Sequence, residues 1–237
     1  CKASNSTGGV TNFLLTVNVS EITYTNSKSL RFEAGDNSYI TGNAANLTAF
    51  QRAANGSGAS DAWTISMWIK TGSETSTQQL IHYGGNTAYT VGMVSLTKQN
   101  GNDLSLTYGT AYNNIIVAKS NCLNANQWNH ILITYDGGTT GVNSGELTDY
   151  YDRFRIVVNG VIQAPVFGNV NFGFNGAIAV NNYFIGRGLQ GSYKLKGSVI
   201  NQVAFWDSNQ FDNRAEIYNS GVTMDLSTLA NPPQNYY

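Results

Sequence analysis

Charge is scarce in this sequence. Only 11% of its 237 residues are charged, 13 basic against 14 acidic, and the formal net charge is -1. A balance so close to zero excludes the broad basic footprint that grips nucleic acid, so no nucleic-acid partner is expected. No run of about 18 apolar residues occurs, which excludes a membrane-spanning helix. Proline occurs three times and histidine and cysteine twice each. With so few, neither a clustered Cys/His zinc spacing nor a histidine-rich catalytic centre is present, and there is no Gly-rich phosphate loop. No charged-then-apolar leader segment is visible. Cys1 is compatible with a lipid-anchor site, a disulfide to Cys122 in an oxidising compartment, or a fragment end.

Neutral polar residues stand in place of charge: 30 Asn and 25 Gly, with abundant Ser, Thr and Tyr. Such a surface fits exposure outside a cell or on a particle. Four Asn-x-Ser/Thr sequons (Asn5, Asn18, Asn46, Asn55) carry little weight in a chain this rich in Asn and Ser.

Short apolar stretches alternate with Gly/Asn/Ser/Thr punctuation almost from end to end, the pattern of many short strands in a sandwich. Phe13–Val19 alternates with a period of two. Ser29–Phe32 and Ser38–Thr41 flank a turn at residues 34–37. In Ala62–Lys70, Trp63, Ile65, Met67 and Ile69 share one face, opposite Thr64, Ser66, Trp68 and Lys70. Gln79–Tyr83, Tyr89–Thr97, Leu104–Tyr108 and Asn113–Lys119 read as a meander. Trp128–Tyr135 sets Ile131, Ile133 and Tyr135 against His130, Leu132 and Thr134. Phe154–Val158 leads into Asn159-Gly160, a hairpin turn that needs positive φ. Asn182–Gly186 and Lys196–Asp207 complete the strands. One helix is expected after an N-cap at Ser208 or Asp212, with Ala215, Ile217 and Tyr218 on its apolar side and Gly221 ending it. The tail Asp225–Tyr237, with Pro232-Pro233, is expected to be extended.

Taken in order, these segments resemble the concanavalin A-like lectin/glucanase superfamily, and within it the laminin G-like and pentraxin-like domains, including those of phage and virus structural proteins. The residues that carry the resemblance are Ser29–Phe32 with Asp36–Ile40, Trp63–Lys70, Trp128–Gly137, Arg155–Val161, Tyr183–Gly186 with Lys196–Asp207, and the helix ending at Glu216–Gly221. The fold implied is all-β, a two-sheet antiparallel jelly-roll sandwich with one short C-terminal helix. Residues 28–230 are expected to form the domain, 1–27 an N-terminal attachment arm, and 231–237 the start of a linker. The resemblance also places Trp63, Trp128 and Trp206 in core strands.

Glycoside hydrolysis needs two carboxylates facing one another across the sugar, which glucanases of this fold place on alternate positions of one strand. Here Glu21, Glu33, Glu74 and Glu216 have no carboxylate two residues away, and Glu146, Asp149 and Asp152 are spaced by three in a loop. No enzyme activity is therefore expected. His130, on a central strand, reads as structural, and neither it nor His82 has a triad context. Calcium at a loop rim is a feature of many laminin G-like domains, but Asn86 stands where they offer a carboxylate. Asp136, Asp149 and Asp152 offer a different metal site. A solvated acidic loop is the favoured reading, and no cofactor is expected.

Aromatic residues make up 12% of the chain, 14 of them Tyr. Sugars stack their C–H faces on Tyr and Trp and bond to neutral amides, so Tyr83, Tyr89, Tyr108, Tyr112 and Tyr193, near loops and strand edges, are the candidate glycan contacts. The reading is of a non-enzymatic module on a virion surface or otherwise extracellular, present in many copies beside other assembly subunits and able to bind cell-surface glycans. A free-standing lectin-like module of a secreted or cell-surface protein is the alternative.

Overall fold

Alternation along one eight-residue strand organises the molecule. In this computed structural model the strands are β1 (Ala3–Ser4), β2 (Val10–Thr11), β3 (Leu30–Phe32), β4 (Ile40–Asn43), β5 (Trp63–Lys70), β6 (Gln78–Gly84), β7 (Met93–Gln99) and β8 (Asp103–Gly109). They continue with β9 (Asn114–Lys119), β10 (Trp128–Tyr135), β11 (Phe154–Val158), β12 (Val161–Gln163), β13 (Val166–Val170), β14 (Asn182–Ile185), β15 (Ser198–Trp206) and β16 (Asn235–Tyr236). The single α-helix among the described residues is α1 (Arg214–Tyr218). The structure describes residues 3–4, 10–11, 28–33, 38–43, 47–50, 62–85, 93–109, 114–138, 153–164, 166–170, 182–188 and 193–237. The expected strand Phe13–Val19 and the four sequons lie outside them.

Two antiparallel sheets face one another. The first runs β12-β11-β10-β5-β15-β16, with β3 also paired to β15. The second runs β13-β9-β8-β7-β6-β14-β4, and β1 pairs with β2 separately. This is the sandwich expected from the sequence. As the period of two requires, Trp63, Ile65, Met67 and Ile69 of β5 and Ile131, Ile133 and Tyr135 of β10 enter the core between the sheets. Leu104, Leu106 and Tyr108 of β8 and Ile81 and Tyr83 of β6 meet them from the second sheet.

The outer face of the first sheet is covered by the chain's own C-terminal segment. Leu132, Val157, Ala204 and Trp206 pack there against Ile217, Leu226 and Leu229. Thr64 pins this cover, its hydroxyl donating to the Ser208 carbonyl at 2.8 Å and accepting from Gln210 N–H at 2.9 Å. The tail is not simply extended: Leu226–Thr228 is a 3-10 turn capped by the Asp225 side chain, and Asn235–Tyr236 pairs with β15. The helix is shorter than expected. It starts after Asn213 with no side-chain cap, and Asn219, at φ 46°, ends it ahead of Gly221. The Asn159-Gly160 turn takes positive φ at both residues, 50° and 76°. A side chain on Gly160 would strike the Tyr218 ring at 2.6 Å, so the hairpin docks beneath the end of α1.

Two tryptophans follow the expectation of burial and one does not. Trp63 and Trp206 are fully buried, Trp206 in the outer cluster rather than between the sheets. Trp128 is 41% exposed. It shares the outward face of β10 with His130 and Leu132, and it opens the strand, where the C-terminal cover no longer reaches. Trp63→Ala should therefore cost about 3–5 kcal/mol of stability. Trp128→Ala should cost under about 1 kcal/mol, as a surface change. Equal losses of denaturation midpoint in the two variants would contradict this arrangement.

His130 is the second test of the outer layer. Its Nε2 lies 2.8 Å from Ser66 Oγ, and its ring sits 5.0 Å from Trp68 and 5.6 Å from Tyr218. Burial lowers its pKa from 6.5 to about 4. Between those values the unfolded chain binds a proton that the native state does not, so stability is full above pH 6.5 and falls as the pH drops. Comparing pH 7 with pH 5, the wild type should lose about 2 kcal/mol more than His130→Gln in denaturant titrations. Identical losses would mean that the imidazole titrates freely.

Candidate functional site

Of the five tyrosines proposed as glycan contacts, two are corrected by the fold. Tyr83 is fully buried and donates its hydroxyl to the Leu47 carbonyl at 3.0 Å. Tyr108 is 1% exposed and lies 5.1 Å from Tyr135 and 5.5 Å from Phe154. Both follow the inward alternation of their strands and cannot meet an external sugar. Tyr193 is 59% exposed, but it lies beside the second sheet, where its carbonyl accepts from Gln79 N–H at 2.5 Å. Tyr89 and Tyr112 lie outside the described residues.

The metal candidates are not brought together. Asp136 binds Arg153, with Oδ2 at 3.0 Å from Nη1, and accepts the Gly138 N–H at 2.8 Å. That arginine already neutralises its charge. Asn86, Asp149 and Asp152 lie outside the described residues. Among the described residues no group of three or more His, Cys, Asp or Glu is placed to hold a metal ion. His82 is buried, its Nε2 3.2 Å from the Gly84 carbonyl, and burial lowers its pKa. Cys122 is a free thiol that burial pushes up to about 11, far from the reactive thiolate range.

The surface concavity forms where the C-terminal cover stops. Cross-strand register sets Trp68 opposite both His130 and Asn201, and Lys70 opposite Trp128, on adjacent strands of the first sheet. Trp68, 6% exposed and stacked 6.0 Å from Tyr218, forms the floor of a groove of about 370 Å³. Exposed Trp128 forms one wall, and Val222 and Thr223, just past the helix, lie across it. Lys28, Ser29 and Asn201 contribute its polar groups.

A second concavity of about 320 Å³, lined by Leu30, Ile200, Val203 and Tyr236, shares Lys28, Ser29 and Asn201 with the first. A β-bulge in β15 joins the two. The register shifts between Asn201 and Ala204, and Gln202 takes φ 46°. The Gln202 amide then turns to donate to the Met224 carbonyl at 2.6 Å and the Tyr236 hydroxyl at 3.0 Å. Sequence reading missed this site. The alternation of β10 already set Trp128 on the face of His130, but nothing in Ser198–Trp206 announced a bulge.

The groove combines an indole face, an apolar floor, neutral hydrogen-bonding groups and the Lys28 cation, with no carboxylate among its described lining residues. It is the size of a small-ligand site and open to one side. It can stack one face of a flat, partly apolar ring and bond to the ring's hydroxyls. Its described lining residues offer no paired carboxylates for hydrolysis.

Comparison with known proteins agrees with this architecture. Residues 35–210 match the family described as the Concanavalin A-like lectin/glucanases superfamily. No curated protein matches the chain in sequence. Among solved structures, the NanB sialidase from Streptococcus pneumoniae is similar at 12% identity and a TM-score of 0.54, covering 83% of this chain and 28% of that one. A heptameric SAP-like pentraxin from Limulus polyphemus is similar at 14% identity and 0.45, covering 69% and 73%. The mouse laminin alpha1 chain, domains LG4-5, is similar at 12% identity and 0.48, covering 76% and 42%. At these identities the likeness is one of fold. With the family match spanning most of both sheets, the chain belongs to the concanavalin A-like lectin/glucanase superfamily, as a laminin G-like β-sandwich domain.

Proposed function

We propose that this domain is a non-catalytic glycan-binding module that acts in many copies on the exposed surface of a larger assembly. The observation that carries the reading is the groove beside Trp128. A large indole left 41% exposed next to an apolar floor, with Ser29, Asn201 and a single cation, Lys28, at its side, suits the stacked face of a sugar ring. The fold supports the same reading, since this superfamily includes lectins, though fold alone does not assign a function. The neutral, Asn-rich composition favours display on a particle, a virion in particular, with residues 1–27 as the attachment arm. Recovery of the chain in purified particles tests that setting against a free-standing secreted or cell-surface module.

A single shallow groove of this kind should bind with a Kd of roughly 1 mM, equivalent to about -4 kcal/mol. Useful adhesion then depends on many linked copies. The domain displayed multivalently should therefore bind neutral glycans on an array where the monomer does not. Stacking and neutral hydrogen bonds are little screened, so this binding should survive added salt. It should also survive calcium chelation and proceed without release of reducing ends. Trp128→Ala should weaken it at least about tenfold, equivalent to about 1.4 kcal/mol, with the melting temperature almost unchanged. Neutral-glycan binding that is indifferent to Trp128→Ala, or that vanishes with chelator, would overturn this assignment.

A further inference from the structure

The opposite face of the sandwich carries an arginine that no group among the described residues neutralises. Ile40 of β4 and Ile185 of β14 are paired and turn toward the core, so Thr41 and Phe184, also paired, face outward, and Tyr39 lies on the same side. Phe184 in turn stands opposite His82 of β6. Gly186, at φ 89°, ends β14 and breaks the alternation. A side chain there would meet the Phe32 ring at 2.4 Å, so this turn requires glycine. The turn brings Arg187 back over the outward face. Its guanidinium carbon lies 3.5 Å from the Tyr39 ring centroid and 4.7 Å from that of Phe184.

The other described arginines have internal acceptors. Arg31 pairs with Glu33 and Arg153 with Asp136, while Arg155 and Arg214 donate to the carbonyls of Phe154 and Phe211. Among the described residues Arg187 has no such acceptor, and its Nε is buried without a hydrogen bond. The two rings hold the guanidinium plane in place but satisfy none of its N–H groups, since a π face attracts the cation without supplying a lone pair along the fork. A half-buried guanidinium, fixed in orientation and lacking an acceptor, is preorganised for a planar anion.

The surroundings narrow the anion. Ser38, Thr41 and Asn43 are exposed neutral groups along the same edge, and Tyr39, 41% exposed, offers a ring surface beside the charge. A polyanion such as nucleic acid or a sulfated polymer needs several cations in a row. Beside Ser38, Thr41 and Asn43 the described edge offers one guanidinium with neutral donors, which matches one negative charge on an otherwise neutral, hydroxyl-rich ligand.

We infer that Arg187, Tyr39 and Phe184 form a second site, on the outer face of the second sheet, for a carboxylate-bearing sugar residue of a glycan. This extends the glycan-binding reading to a surface separate from the Trp128 groove, so the two succeed or fail independently.

The test uses the multivalent domain carrying Trp128→Ala, which disables neutral-glycan binding in the groove, on immobilised polygalacturonate, alginate, hyaluronan and polysialic acid, each beside its methyl ester. At least one acid form should be retained and its uncharged ester should not. Unlike binding in the groove, this retention should fall as salt is added. Arg187→Gln should reduce it at least tenfold. Arg187→Lys, which keeps the charge but loses the planar fork, should recover only part. The same domain with Trp128 in place should retain the acid form to the same extent. Melting temperatures of all variants establish that they are folded, and Tyr39→Ala, at an exposed position, gives a second route should Arg187→Gln fail to fold. The inference is overturned if acid and ester are retained alike, if no acid form is retained, or if folded Arg187→Gln binds as the wild type does. Competition by inorganic phosphate at lower concentration than glucuronate would overturn the carboxylate assignment.

Discussion

The sandwich depends on a cluster of aromatic rings that crosses the space between its sheets, with Trp63 at the centre. Phe50 stacks on Trp63 at 4.9 Å and 22°. Tyr135 and Phe154 approach it at 5.7 and 6.2 Å from the first sheet, and Tyr108 at 6.1 Å from the second. Phe50 extends the contact to Tyr83 at 5.3 Å and to Phe205 at 5.9 Å, so strands far apart in sequence share one set of rings. Aromatic pairs at such separations add about 0.5–1.5 kcal/mol each beyond the area they bury. The cluster also has a cost, for the Trp63 indole N–H is buried without a partner. Packing outweighs that cost, and it accounts for the inward turn of Tyr83 and Tyr108.

The functional surface follows from how the remaining apolar surface is covered. The outer face of the first sheet is as apolar at Leu132, Val157, Ala204 and Trp206 as a core face, and it needs a second layer. The segment from Ser208 onward supplies one, fastened by Thr64 at one end and by the Trp206 indole N–H donating to the Asn231 carbonyl at 2.9 Å. Its turn past Tyr218, at Gly221–Thr223, borders the groove and leaves Trp128 exposed beside the buried Trp68. The groove is thus built from an incomplete layer and not from a dedicated loop. On the other side, the described centre of the second sheet carries Gln79, His82, Ser95 and Ser105, and the Arg187 cluster lies toward its β4 edge.

Much of the fold was legible because strand alternation is local. Trp63–Lys70, Trp128–Tyr135 and the Asn159-Gly160 turn stand where their residue patterns put them, since a period of two and positive φ at Asn-Gly are properties of a few residues. The site was less legible for a specific reason. Whether an outward residue meets water depends on which distant segment lies over it, and sequence spacing carries no such information. Trp128 shows this most clearly. Its own strand periodicity set it outward, while the family resemblance drew it into the core. The reverse holds for Tyr83 and Tyr108, whose nearness to loops suggested a surface role although their alternation pointed inward. The bulge at Asn201–Val203 and the Arg187 cluster depend on contacts across strands, and no local motif encodes them.

The central claim is that two of the four tryptophans hold the fold while Trp128, at the edge of the cover, meets the ligand. The most direct measurement is an NMR titration of the four ¹⁵N-labelled indole N–H groups with neutral oligosaccharides. The account predicts that the Trp128 resonance shifts and shows contacts to sugar protons, with a smaller response at Trp68 on the groove floor, while Trp63 and Trp206 stay unmoved. Sugar contacts that leave Trp128 unshifted, or a Trp128 indole as protected from solvent exchange as Trp63, would contradict it.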